Sequence, residues 1–317
     1  MHDTESFALS LARDVRLAVH PKMGTPEARE LAGTAHGGDP EYAIDAVAEQ
    51  LVGEAFDGHG DVAYFTEDAG LVVRGKPQTL FLIDPIDGTR PAAAGFETCC
   101  VSIAIAPYGK DVTLGDVTYG CLVELTTGQV YEARRGLGAR SDREGKPSDA
   151  KELRGLFWAG GFRGQPAAIL SLALQDVFDA PGSEGSYFDQ GSAAYSLACV
   201  GTGRLDAFVD PGAAILEEVP GVRPIWEAVG GGKALNTVTY DVAAAALFAT
   251  ESGAVVDDAR RTFDEIPLLD DEGKASEVAT IAAGRPELHL ELRKAVSRGA
   301  DRVRSLIETV GTGLFAV

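Results

Sequence analysis

The chain is poor in the residues that most often build compact reactive sites. Among 317 residues there are four cysteines, five histidines, two methionines and two tryptophans. Cys99, Cys100, Cys121 and Cys199 all fall inside apolar runs, with no Cys-x-x-Cys spacing. That excludes a zinc ribbon or a disulfide framework and leaves four reduced core thiols, as expected of a cytoplasmic protein. Cys99 and Cys100, adjacent in a strand-like run, should point to opposite faces of a sheet. His2, His20, His36, His59 and His289 are scattered without metal-ligand spacing and read as surface residues. No apolar run reaches the roughly 20 residues needed to cross a bilayer. Met1-His2-Asp3-Thr4-Glu5 has no basic start, so neither a membrane span nor a secretory signal is expected. Gly201-Thr202-Gly203 and Gly230-Gly231-Gly232 fit neither a phosphate-binding loop nor a dinucleotide fingerprint. Lysine is scarce too, 8 against 20 arginines, and 48 acidic residues bring the net charge to −20. Such a charge repels a phosphate backbone and excludes nucleic acid as a partner. Adaptation to high salt would account for it.

What is present points to oxygen chemistry. The apolar run Thr79-Leu80-Phe81-Leu82-Ile83 reads as a buried strand and is followed by Asp84-Pro85-Ile86-Asp87-Gly88-Thr89. Two carboxylates three residues apart cannot converge along a regular strand, so a turn forced by Pro85 and Gly88 is expected to aim them at one point. Val62-Ala63-Tyr64-Phe65-Thr66 forms a second strand, ending in Glu67-Asp68. Downstream, Tyr240-Asp241-Val242-Ala243-Ala244-Ala245-Ala246 opens a helix with Asp241 suited to its N-cap, and that helix should stop near Gly253. Clustered hard oxygens suit Mg²⁺, and free N–H groups after a turn suit phosphate.

Elsewhere, helical spacing covers residues 7–19 and 44–56, and strands are expected at 100–106, 112–124 and 129–134. Residues 141–149 have the composition of an exposed loop. Strand-like 156–159, helical 166–179 and 192–200, strand-like 204–209 and helical sequence from Pro286 then alternate, which predicts a layered α/β fold. Taken singly, Asp45 reads as a solvated helix residue, and Asp210, before Pro211-Gly212, as the start of a turn.

In this order, Glu67-Asp68, Asp84-Pro85-Ile86-Asp87-Gly88-Thr89 and Tyr240-Asp241-Val242-Ala243-Ala244 resemble the motif set of the inositol monophosphatase superfamily. Gly191-Ser192-Ala193-Ala194 with Gly203-Arg204-Leu205-Asp206, and Gly128-Gln129-Val130-Tyr131, extend the resemblance over about residues 45–283. It implies an α/β/α/β/α sugar-phosphatase fold, with an α+β half over residues 1–150 holding most ligands and an α/β half over 151–317 carrying Asp241. It further implies a homodimer with two or three Mg²⁺ ions per site. Glu67, Asp84 and the Ile86 carbonyl would hold one ion, and Asp84, Asp87 and Asp241 a second. Glu67 and Thr89 would serve catalysis, Thr89 orienting the attacking water in partnership with Asp45. Gly88 and Thr89 N–H groups would bind phosphate, while Gly191, Ser192 and Asp210 would lie against the substrate. The implied activity is Mg²⁺-dependent hydrolysis of a small phosphorylated metabolite, an inositol monophosphate or fructose 1,6-bisphosphate. A 3′-phosphoadenosine-type nucleotidase is the alternative within enzymes, and a non-catalytic metal-binding or phosphoester-binding paralogue the alternative outside them. The chain departs from the pattern at Arg90-Pro91, at Phe188, at Tyr240 and in a long connection between Asp210 and Asp241. Arg90 either meets a substrate anion or caps a surface turn; the connection, with Trp226, suits a mobile lid or an oligomer contact.

Overall fold

The computed structural model describes residues 2–34, 40–162 and 164–311. In chain order the first elements are α1 (His2–Val19), β1 (Leu31–Thr34), β2 (Pro40–Tyr42), α2 (Ala43–Phe56), β3 (Val62–Thr66), β4 (Gly70–Arg74) and β5 (Thr79–Asp87). Then come α3 (Thr89–Ala94), β6 (Cys100–Pro107), β7 (Tyr119–Glu124), β8 (Val130–Arg134), β9 (Gly138–Ser141), β10 (Phe157–Ala159), α4 (Ala167–Ala173) and α5 (Gln175–Asp179). The last are β11 (Ser186–Phe188), α6 (Ala193–Gly201), β12 (Ala207–Val209), α7 (Gly212–Glu218), α8 (Arg223–Val229), α9 (Thr239–Glu251), β13 (Val255–Asp258), β14 (Thr280–Ala283) and α10 (Pro286–Val310).

Among the described residues, seven strands in the order β4-β3-β5-β6-β7-β8-β9 form one sheet, and β11-β10-β12-β14-β13 form another. Strand alternation sorts the side chains into layers. Phe81, Ile83, Val101 and Ile103 of the larger sheet pack against Val15 of α1 and Val52 of α2. Leu80, Leu82, Cys100 and Ala104 point the other way, onto Leu197 of α6 and Leu247 of α9. The same two helices meet Ala159, Phe208 and Ala282 of the smaller sheet. That sheet's far face, with Trp158, Val209 and Ile281, lies under Leu288 and Leu292 of α10. The order helix, sheet, helix, sheet, helix is the expected layered α/β arrangement. Cys99 and Cys100 fall in opposite clusters, and all four thiols are buried and free.

Several elements differ from their sequence reading. The strand expected over 112–124 begins only at Tyr119, because Leu114–Asp116 makes a 3₁₀ turn held by Asp116 accepting from the Thr113 N–H. The 166–179 helix is broken at Leu174 into α4 and α5. His289 is not a surface residue: it is 7 % exposed, since the apolar face of α10 beds on β14. His36 lies outside the described residues. The Asp210–Asp241 connection is also no loose lid. It folds into α7 and α8, and Ile215, Val222, Ile225 and Trp226 pack with Ile169 and Leu170 of α4 and Ala300 and Val303 of α10. No helix among the described residues is long and apolar enough to cross a membrane.

Candidate active site

The two carboxylates of the Asp-Pro-x-Asp segment converge by a different route from the expected turn. Strand β5 does not stop before Asp84 but continues through Asp87. Asp84 pairs with Ser102 and Asp87 with Cys100, so an interval of three on β5 faces two on β6. The extra residue is a bulge, and it turns both carboxylates to one side. Gly88 then takes φ 91°, ψ 45° to start α3. A Cβ there would lie 2.8 Å from the Thr98 carbonyl, so the sharp exit admits only glycine.

Asp241 completes the group from the central helix layer. It is the third residue of α9 rather than its N-cap, and its carboxylate reaches back to the Val238 N–H at 2.8 Å. The helix begins at Thr239, directly after Val238 bridges Glu277. A carboxylate oxygen from each of Asp84, Asp87 and Asp241 lies within 4.8 Å of the other two. Burial pushes the Asp84 carboxyl well above the usual range, and Asp87, Asp241 and Glu67 push it further, in that order. An all-oxygen cluster whose own charges oppose ionisation fits a hard divalent cation, which would reverse the local field.

The remaining predicted residues are distributed around this centre. Asp87 Oδ2 accepts the Ser192 hydroxyl at 2.5 Å and the Ala194 N–H at 2.6 Å, at the start of α6. Ser192 thus positions Asp87 and also accepts the Tyr195 N–H. Thr89 Oγ lies 2.9 Å from Asp45 Oδ1 and 3.2 Å from the Ile86 carbonyl. Asp45 is the third residue of α2, and its other oxygen accepts the Tyr42 N–H at 3.1 Å. Arg90 is exposed, its guanidinium 6.0 Å from the centre of the Tyr42 ring. It is not among the residues lining the cavity beside the acids.

That cavity, about 510 Å³, runs from Glu67, Asp87 and Asp241 past Gly191 and Ser192 to Gln165, Asp210 and the stretch 233–238. Asp210 is 6 % exposed; Thr237 Oγ donates to its Oδ2, and the Gly212 N–H to its Oδ1. Burial raises its carboxyl, while bonds from Thr237, Gly212 and Gln165 oppose that rise.

One residue of consequence has no motif around it. Glu49, one turn after Asp45 on α2, accepts the Thr66 hydroxyl at 2.8 Å and the Asp68 N–H at 3.4 Å, so it holds both neighbours of Glu67. Burial pushes its carboxyl up to about 7, against the Thr66 bond. The available signal was its place four residues after Asp45, on the same face of one helix.

Known proteins agree with this architecture. The chain matches the inositol monophosphatase family over residues 1–299. It belongs to that family. A fructose-1,6-bisphosphatase/inositol-1-monophosphatase of Methanothermobacter thermautotrophicus is 28 % identical over 307 residues, covering 92 % of this chain and 96 % of that one. A bifunctional NADP phosphatase/NAD kinase of Methanococcus maripaludis is 24 % identical over 221 residues, 66 % of this chain and 39 % of that one. The solved structure of the extragenic suppressor protein suhB of Bartonella henselae superposes with TM-score 0.70 at 22 % identity, covering 94 % of this chain and 99 % of that one, a likeness of fold. Family membership makes the chain a phosphoric monoester hydrolase.

Proposed function

We propose that the protein is a Mg²⁺-dependent phosphatase of a small phosphorylated polyol or sugar. The observation that carries this reading is the convergence of Asp84, Asp87 and Asp241, the last two of which line the cavity. Glu67, Asp84, Asp87, Asp241 and the Ile86 carbonyl would hold two or three Mg²⁺ ions, which supply Lewis-acid activation of water and neutralise charge on the phosphoryl oxygens.

The chain's own groups do the orienting. The Thr89 hydroxyl, giving its proton to Asp45 in a hydrogen bond, leaves its lone pairs to align the attacking water. Gly88 and Thr89 N–H groups bind phosphoryl oxygens as charge builds on them. Ser192 and the Ala194 N–H keep Asp87 from swinging away. The alcohol portion of the substrate extends toward Gly191 and Asp210.

The likeness to an NADP phosphatase supports a second reading, removal of a phosphate from a nucleotide. We also take the working form to be a homodimer; sedimentation as a monomer of 33.2 kDa would overturn that. The main test is turnover of phosphorylated polyols, sugars and nucleotides at millimolar Mg²⁺ with and without chelator. Loss of turnover on chelation, restored by Mg²⁺, is expected. Hydrolysis indifferent to chelator sinks the metal assignment, and turnover of nucleotides alone favours the second reading.

A further inference from the structure

Glu67 stands at the first position of a short hairpin loop. Strands β3 and β4 pair up to Thr66 and Gly70, so residues 67–69 alone span the turn, and Gly70 closes it at φ 64°. Side chains take two of the loop's backbone N–H groups. Thr66 Oγ accepts the Ala69 N–H at 3.0 Å, and Glu49 Oε1 accepts the Asp68 N–H at 3.4 Å. The Thr66 hydroxyl in turn donates to Glu49 Oε2 at 2.8 Å. Both oxygens of one carboxylate therefore hold the loop, one on each side of Glu67. Glu67 itself lines the cavity and lies near enough to Asp84 to oppose its ionisation.

The support behind this contact is firm. Ile44, Ala48 and Val52 fix α2 in the core under the larger sheet. Just before the loop, Phe65 stacks on Tyr240, with ring centres 5.6 Å apart, and Tyr240 adjoins Asp241. The loop thus sits between the helix that carries Asp45 and the helix that carries Asp241. A carboxylate is an expensive residue to place there. Burial works against its charge, and Asp68 and Asp45 add to that, whereas an aliphatic side chain would pack α2 without such opposition. What the carboxylate supplies is two acceptors for two donors of the loop.

We propose that Glu49 is a positioning residue for Glu67: by holding Thr66 and Asp68 it keeps the Glu67 carboxylate in place for the cation it shares with Asp84. This rests on the metal assignment above. Without Glu49 the loop can drift from α2 and carry Glu67 over a wider range of positions. Binding the cation must then first order that loop, which weakens affinity.

The test titrates Mg²⁺ into substrate-free protein by calorimetry and separately measures kcat and substrate KM at saturating Mg²⁺. Glu49→Ala should weaken Mg²⁺ binding by about tenfold or more, with substrate KM at saturating Mg²⁺ near that of wild type. Thr66→Val, which removes one of the two donors, should weaken it in the same direction. Thr66→Ser, which loses a methyl but keeps the hydroxyl, should retain the wild-type affinity. A lowered melting temperature of the metal-free protein with Mg²⁺ affinity kept within about threefold overturns the proposal and leaves Glu49 a packing residue of the hairpin. If Glu49→Ala has no cooperative melt, Thr66→Val and Thr66→Ser decide: equal affinities overturn the proposal. Wild-type protein that takes up no Mg²⁺ overturns the metal assignment itself, a different result from an unchanged affinity.

Discussion

The Thr89 hydroxyl has one proton and two acceptors, Asp45 Oδ1 at 2.9 Å and the Ile86 carbonyl at 3.2 Å. The carboxylate is the stronger acceptor, so the proton is held toward α2 and the free lone pairs face away from it. Replacing Thr89 by Ala removes an orienting group without touching the phosphate. Turnover should drop about hundredfold with KM nearly constant; steady-state kinetics check this, and a raised KM with normal turnover would make Thr89 a phosphate contact. At this scale the motif residues were legible because Asp84, Asp87, Gly88 and Thr89 lie within six consecutive positions. Glu49 and Gln165 were not. Their partners are Thr66, 17 residues away, and Asn236, 71 residues away. Nothing in a local pattern announces a pairing across such distances.

At the scale of elements, helix α9 owes its position to a missing side chain. Gly120 on β7 lies under Ala244, and a Cβ there would meet the Ala244 carbonyl at 2.7 Å and its Cα at 2.8 Å. Both obstacles are backbone, so the whole helix would have to move, carrying Asp241 with it. Gly120→Ala should therefore cost about 1–3 kcal/mol of stability, measured by urea unfolding, and raise the Mg²⁺ concentration needed for half-maximal activity. A stable variant with unchanged metal response would show that α9 can shift freely. Strands β3, β5, β6 and β8 were readable from their apolar runs, whereas the bulge in β5 was not. Sequence shows that Asp84 and Asp87 must converge but not whether a turn or an extra residue in a strand brings them together. The packing of the α7–α8 connection is hidden for a related reason: the partners that bury Trp226 sit on α4 and α10, far away in the chain.

Two predictions concern the molecule as a whole. A net charge of −20 implies self-repulsion that mobile ions relieve. The melting temperature should rise as KCl is increased from low ionic strength to about molar concentration, where the Debye length is about 3 Å. A flat trend would mean that ion pairs such as Arg302–Asp176 and Arg134–Glu5 already compensate the surface. The second concerns acid. Burial, aided by Arg293, pushes the His289 imidazole down from 6.5 to about 4, against its bond to the Ile281 backbone. Between those values the unfolded chain binds a proton that the folded one refuses, so stability is lost as pH falls through that window. The loss from this group is on the order of 3 kcal/mol at most. His289→Gln should flatten that part of a melting-temperature profile between pH 6.5 and 4; an identical slope would assign the acid sensitivity elsewhere.

The helix starts around the site bear on which of its acids could drift once catalysis no longer mattered. Asp45 reaches back to the Tyr42 N–H ahead of α2, Asp241 to the Val238 N–H ahead of α9, and Asp87 takes the Ala194 N–H of α6. Losing such a bond costs about 1 kcal/mol of helix stability. Selection for folding alone would therefore preserve these three in a lineage that had lost all turnover. Asp84 caps no helix; it accepts the Ile86 N–H at 3.0 Å within the bulge, while burial and the neighbouring carboxylates oppose its charge. An Asn at this position would keep the acceptor and shed the opposed charge, so it would spread first. The survival of a charged Asp84 in this chain is the inheritance that folding does not explain.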